Sequence, residues 1–259
     1  MGLSLGFLFT AALYASIGFG GGSTYTSLLV LFDVDYRFIP LISLTCNILV
    51  VSSAVYNFYQ SGHIHFQKVV PWIVTSVPAA ILGGMVPIKE TLFMGVLGCA
   101  LLLSSLRLLW PQRSESNLIG ERPHIKSLPV AIPLCLGGVL GGAAGVTGIG
   151  GGIFLAPVLY YMKWKDPKRI AGASSLFILV NSLAGLLGQL IKSGSSNNFM
   201  LCLETFWFLL PLVLAGGWVG SNLGSAKLDK DVIKRLTALL IFYVAVRLLY
   251  QSAGTFLSA

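Results

Sequence analysis

Long apolar runs alternate with short polar interruptions along this chain. Stretches of about 20 apolar residues recur at 38–59, 67–86, 91–110, 170–191, 201–220 and 232–250. A helix of about 20 residues rises about 30 Å, the thickness of a bilayer's hydrocarbon core, so each stretch predicts a membrane-spanning helix. Two further apolar regions, 3–32 and 128–161, are too long for one span and too short for two. Both carry glycine triplets, in GFGGGS at 18–23 and GIGGGI at 148–153. Glycine is the poorest helix former after proline. Each region therefore predicts a helix that breaks within the membrane and resumes as a half-length helix, over 23–32 or 153–161.

Composition places this pattern in a bilayer. Of the 259 residues, 55% are hydrophobic and 10% charged, against about 25% charged in a soluble domain; the mean hydropathy is +0.83. The expected fold is an all-α integral membrane protein. The net charge of +8 is read as cytoplasmic loop charge rather than a nucleic-acid surface. Residues 1 to 10 have no basic start and lead into the glycine motif without a small-residue cleavage site, so no cleavable signal peptide is expected. Cys46, Cys99, Cys135 and Cys202 lie in apolar segments without Cys-x-x-Cys spacing. They are expected to be buried hydrophobes rather than metal ligands or disulfides.

The chain is written twice. Gly18, Gly20, Gly21 and Gly22 align with Gly148, Gly150, Gly151 and Gly152. Asn57-Phe58-Tyr59-Gln60-Ser61-Gly62 then falls on Gln189-Leu190-Ile191-Lys192-Ser193-Gly194, and Arg107-Leu108-Leu109-Trp110 on Arg247-Leu248-Leu249-Tyr250. The expected organisation is a first transmembrane repeat over 1–110, a cytoplasmic polar linker over 111–127 and a second repeat over 128–259, in one membrane domain. Internal repeats of this kind mark many secondary transporters.

Loop charge sets the relative orientation. If each glycine segment dips in and returns, each repeat crosses three times and the copies are inverted. One side then keeps all but Arg37, Lys89, Lys192 and Arg247 of the 17 basic residues. If the segments span, the copies are parallel and the basic residues divide 7 to 10. Basic residues concentrate in cytoplasmic loops, so the inverted arrangement is expected, with residues 162–169 cytoplasmic and 33–37 outside.

A helix that starts at mid-membrane presents backbone N–H groups without intrahelical partners and about half a positive charge. Two such starts approaching from opposite sides would cradle a small oxyanion. In the first copy Ser23 and Thr24 add hydroxyls; Ile153 and Phe154 replace them in the second. Polar residues inside the spans 38–59 and 170–191 extend the candidate site. They include Ser43, Thr45, Asn47, Ser52 and Ser53, and Ser174, Ser175, Asn181 and Ser182. A lone Ser or Thr can bond its own helix, whereas a carboxamide has four bonding positions to satisfy. The expected substrate-binding set is Gly20, Gly21, Gly22, Ser23, Thr24, Ser43, Asn47, Gly150, Gly151, Gly152, Ser175 and Asn181. No metal or cofactor is expected. No Asp, Glu, Lys or Arg falls near the centre of a long span; Glu204, Arg107 and Arg247 lie near ends. Pro157 is expected near the start of its half-helix, where a missing N–H removes no bond.

The duplicated Gly-x-Gly-Gly-Gly, with Pro157 following the second copy and three spans per half, resembles the TauE/SafE sulfite exporter family, also called TSUP. The likeness runs over nearly the whole chain. It implies transport of sulfite, sulfoacetate or other organosulfonates without ATP hydrolysis, with Gly18–Gly22 and Gly148–Gly152 lining the pore. Ser27 stands where the second copy has Pro157, a departure that sets the two halves' backbone geometry apart.

The expected function is a secondary transporter in the cell membrane, working by alternating access on a small sulfur-containing anion, with a proton or sodium ion as possible coupling partner. An anion channel would use the same cradle. A hydrolase using Ser23 with His63 or His65 is the rival of another class. Gly-x-x-x-Gly spacings at 137/141, 138/142, 216/220 and 220/224 predict close helix packing, within the chain or in a homodimer.

Overall fold

The computed structural model describes residues 2–85 and 129–227, apart from 33, 36–37, 163–165 and 194–195, with scattered positions over 98–106 and 229–250. The polar linker and most of the expected spans 91–110 and 232–250 lie outside the described residues. Every described element is helical: α1 (Gly2–Ser16), α2 (Gly22–Leu31), α3 (Ile39–Gln60), α4 (Phe66–Met85), α5 (Ala131–Thr147), α6 (Gly152–Tyr161), α7 (Pro167–Ser193), α8 (Ser196–Phe206) and α9 (Leu209–Asn222). A π-helical turn, Leu223–Lys227, extends α9. By length and composition, α3, α4, α7 and α9 with its extension can cross a membrane. Phe9, Leu82 and Val139 are each more than 60% exposed, giving the bundle an apolar outside suited to lipid.

The expected span 201–220 is divided. The ring of Pro211 crowds the carbonyl four residues back, at Trp207, and removes one intrahelical bond, which favours a break at that point. The chain turns at Trp207–Phe208, and α9 begins at Leu209. Pro157 also departs from expectation: it lies in the interior of α6 as its sixth residue, past the first turn. Of the cysteines, Cys46 and Cys202 are buried and Cys135 is on the outer surface of α5; Cys99 lies outside the described residues.

The first glycine break makes a hairpin. Gly18 N–H bonds the Ala15 carbonyl and Phe19 N–H the Tyr14 carbonyl, closing α1 with Gly18 at φ +77°, the paired bonds and left-handed glycine of a Schellman cap. Gly21, at φ +87°, precedes α2. The return is antiparallel: a Cβ on Gly2 would touch Phe32, one on Gly6 would touch Leu28, and Phe7 stacks on Tyr25 at 4.5 Å. Residues 2 and 32 thus sit at the same end. In the second break Gly148, Gly150 and Gly151 have φ of +65°, +82° and +80°, and Gly151 stands against Ala144 of α5 as Gly21 stands against Thr10 of α1.

The helix contacts pair off when the two halves are exchanged. α1 packs on α9 and α5 on α4; α3 touches α9 and α7 touches α4; α2 lies on α3 and α6 on α7; α3 and α7 meet each other. The first pairing depends on glycine ridges. Added Cβ atoms on Gly137, Gly141 and Gly145 would collide with the carbonyls of Trp72, Ser76 and Ala80, and those on Gly216, Gly220 and Gly224 with the carbonyls of Leu8, Ala12 and Ser16. Both ridges are therefore engaged within the chain. Gly138 and Gly142 are looser, with an added Cβ 3.7 Å from Thr75 or 3.9 Å from Ala79. Gly141→Ala and Gly220→Ala should each lower stability by about 1–3 kcal/mol through overpacking. Gly138→Ala should be neutral or gain up to about 1 kcal/mol from helix propensity. Thermal unfolding of the purified variants in detergent checks the order.

The ends of the bundle follow from three contacts. Gly172 near the start of α7 packs on Ile64, the His63 carbonyl and Phe58, and Lys168 Nζ donates to the Ser225 carbonyl at 3.2 Å. Residues 63–68, 167–172 and 223–227 share one end. At the other end Gly188 of α7 packs against the Ile81 carbonyl of α4.

Candidate functional site

α3 positions the polar side chains that join the two glycine breaks. Pro40 in its first turn starts the helix, where a residue without an N–H costs no bond, and places Ser43 and Asn47 one turn apart on one face. Both are fully buried. Asn47 Nδ2 donates to the Ile149 carbonyl in the second break at 3.1 Å. It also stands where a Cβ on Gly22 or Gly150 would fall, and its Oδ1 does the same at Gly20. Ser43 Oγ donates to the Gly22 carbonyl at 3.1 Å and reaches the Gly148 carbonyl at 3.5 Å. One helix of the first half thus fastens both breaks together.

Gly20, Gly21, Gly22, Gly150, Gly151 and Gly152 are all buried at this junction. Thr24 and Tyr25 N–H bond the Gly21 carbonyl, and Phe154 and Leu155 N–H bond the Gly151 carbonyl. The N–H groups of Gly22 and Ser23, and of Gly152 and Ile153, precede these first intrahelical bonds and belong to the positively polarised ends of α2 and α6. Ser23 is buried beside Thr24. The Thr24 hydroxyl pairs with the Tyr14 hydroxyl at 2.8 Å.

The second half supplies a different lining. Ile178 faces Gly150 and Gly152, the place Asn47 takes against Gly20 and Gly22; Ser182 Oγ faces Gly150, where the first half has Val51 against Gly20. Each break meets one polar and one apolar side chain from its own half's long helix. Asn181 lies on a neighbouring position, its Nδ2 bonded to the Phe177 carbonyl of its own helix at 2.8 Å. Ser175 bonds the Gly172 carbonyl of its own helix at 2.8 Å. Thr45, Ser52 and Ser53 likewise bond α3's own carbonyls. Ser182 and Tyr14 lie outside the expected substrate-binding set. Ser182's position one turn beyond Ile178, like Val51's beyond Asn47, is the signal available in the sequence.

Polar capacity remains at the junction, on Asn47 and Ser182, and elsewhere on α7. Among the described residues, Asn47 Oδ1, Asn181 Oδ1, Ser174 Oγ and Ser182 Oγ are buried without a hydrogen-bond partner. Buried polar atoms left this way cost about 1–3 kcal/mol each unless something occupies them. In the rival hydrolase reading His63 would approach Ser23; it packs edge-on against Phe58, which lies eleven residues along α3 from Asn47, a rise of about 16 Å.

Comparison with known proteins points to a family of membrane transporters. Residues 3–248 match the family described as Sulfite exporter TauE/SafE. The chain is 30% identical over 250 residues to "Probable membrane transporter protein y4hK" of Sinorhizobium fredii, covering 96% of this chain and 98% of that one. It is 25% identical over 221 residues to "Probable membrane transporter protein YjnA" of Bacillus subtilis, covering 81% and 85%. No solved structure is a significant match. With its glycine-broken helices, four membrane-capable helices and this match along nearly its whole length, the chain belongs to the TauE/SafE sulfite exporter family of multi-pass membrane transporters.

Proposed function

We propose that the junction of the two glycine breaks is a mid-membrane site for a small sulfur-containing anion such as sulfite, sulfoacetate or another organosulfonate. The chain would act in the cell membrane as a secondary transporter that opens this site to each side in turn. The observation that carries the reading is the bridge from Asn47 to the Ile149 carbonyl, which brings the N-terminal ends of α2 and α6 to one place. Sulfur oxyanions present several acceptor oxygens, and first-turn N–H groups with the Ser182 hydroxyl provide donors without a buried cation.

The two repeats, 1–110 and 128–259, are taken as inverted about the α3–α7 contact. The reciprocal helix contacts support this. So does the meeting of His63–Ile64 with Gly172, because parallel copies would set those residues on opposite sides. The end that carries Lys68, Lys168, Arg169 and Lys227 is the cytoplasmic one by the positive-inside rule. Moving one hairpin and its partner helix relative to the other would then expose the junction alternately.

Proteoliposomes loaded with sulfite, sulfoacetate or sulfate, under imposed proton or sodium gradients, test the reading. Saturable flux of a sulfur oxyanion, driven by one gradient, is the expected result. Flux of choline with none of the anions would overturn it, and rapid non-saturating anion flux would replace the carrier with a channel.

A further inference from the structure

We propose that the basic end of α4 binds an anionic phospholipid, its headgroup in a recess lined by His65, Gln67, Lys68 and Arg169 and an acyl chain along Phe66, Val70 and Val74. The recess has a volume of about 580 Å³, and Ile64 and Phe66 complete its lining. It joins the first turn of α4 to the first turn of α7 and is separate from the glycine junction. Among the described residues its lining holds two fixed cations, a histidine and a carboxamide, and no carboxylate. That set of donors suits a phosphodiester. Lys168, the neighbouring cation, is turned away to the Ser225 carbonyl.

The surface below the recess indicates why the phosphate should belong to a lipid. Phe66, Val70 and Val74 are 46%, 47% and 58% exposed and succeed one another at intervals of four, on one face of α4. They form an apolar strip about 12 Å long, running from the recess toward the bilayer centre. Tyr59 and Phe66, both exposed, pack at 5.5 Å beside the rim. Exposed aromatic rings of this kind gather at the headgroup level. A basic recess at that level, continuing into a lipid-facing apolar strip, fits the two parts of one amphiphile.

The test uses the full chain in nanodiscs of equal phosphatidylglycerol and phosphatidylcholine, released into native mass spectrometry. The wild type should retain phosphatidylglycerol over phosphatidylcholine. The double variant Lys68→Gln/Arg169→Gln should lose that preference by roughly tenfold, and Lys68→Gln alone, an exposed position, by a smaller factor. Lys192→Gln, at the opposite end of α7, should match the wild type. Thermal midpoints of the variants show whether they remain folded; Lys68→Gln decides the matter if the double variant does not. Equal retention of the two lipids by the wild type overturns the proposal, as does a Lys192→Gln loss equal to that of Lys68→Gln. Displacement of phosphatidylglycerol by millimolar inorganic phosphate also overturns it, in favour of a free-anion site.

Discussion

Asn47→Ala is expected to reduce transport of a sulfur oxyanion by at least about tenfold, while Asn181→Ala keeps most of the wild-type rate. The two residues look alike in the sequence: each is a carboxamide within a long apolar span. Their surroundings differ. Asn47 is the cross-link between the halves, donating to the Ile149 carbonyl and packed against Gly20, Gly22 and Gly150. Removing it leaves that carbonyl without its side-chain donor, at a cost of about 1–3 kcal/mol, and lets the two helix starts drift apart. Asn181 spends its amide on its own helix, so its removal disturbs no contact between the halves. Uptake into proteoliposomes measures the first effect, and the thermal midpoint of each variant separates it from unfolding. Equal losses in the two variants would remove Asn47 from its bridging role.

Gly21→Val and Gly151→Val should abolish transport. Each glycine has a left-handed backbone, and an added Cβ would lie 2.8 Å from Thr10 Cγ2 or from Ala144 Cβ. The backbone penalty is about 1–2 kcal/mol for an ordinary residue and larger for a β-branched one. Crowding adds about 1–3 kcal/mol. Gly62 provides the control, since its φ is +70° with nothing within 4 Å of an added Cβ. Gly62→Val therefore carries the strain without the crowding and without the junction. It should keep transport at a modest loss of stability, and flux assays on the three variants in parallel test this. If Gly62→Val fails equally, backbone strain alone accounts for the effect and the breaks have no special part.

Much of the architecture was legible because membrane helices announce themselves locally. The apolar runs 38–59 and 67–86 became α3 and α4 within a residue of the expected limits, and the half-helices after the triplets began at Gly22 and Gly152. A bilayer imposes length and hydrophobicity on each segment independently. The expected span 201–220 is divided where Pro211 removes a backbone donor and crowds the Trp207 carbonyl, although α4 runs on through Pro71 and Pro78.

Composition and period alone establish a helical membrane protein with two glycine-rich breaks. Those properties follow from composition, period and conformational preference, which each segment carries alone. Which polar residues meet at the breaks depends on how the helices pack. Ser43, Asn47, Ser175, Ser182 and Asn181 all sit on apolar helices, and nothing local distinguishes a hydroxyl or amide bonded to its own backbone from one facing another segment. The rotation of α3 and α7 about their axes makes that distinction, and it follows from how these helices pack on each other and on α9 and α4. Close packing transmits those contacts across the bundle, so the register that puts Asn47 at both breaks is a property of the assembled helices.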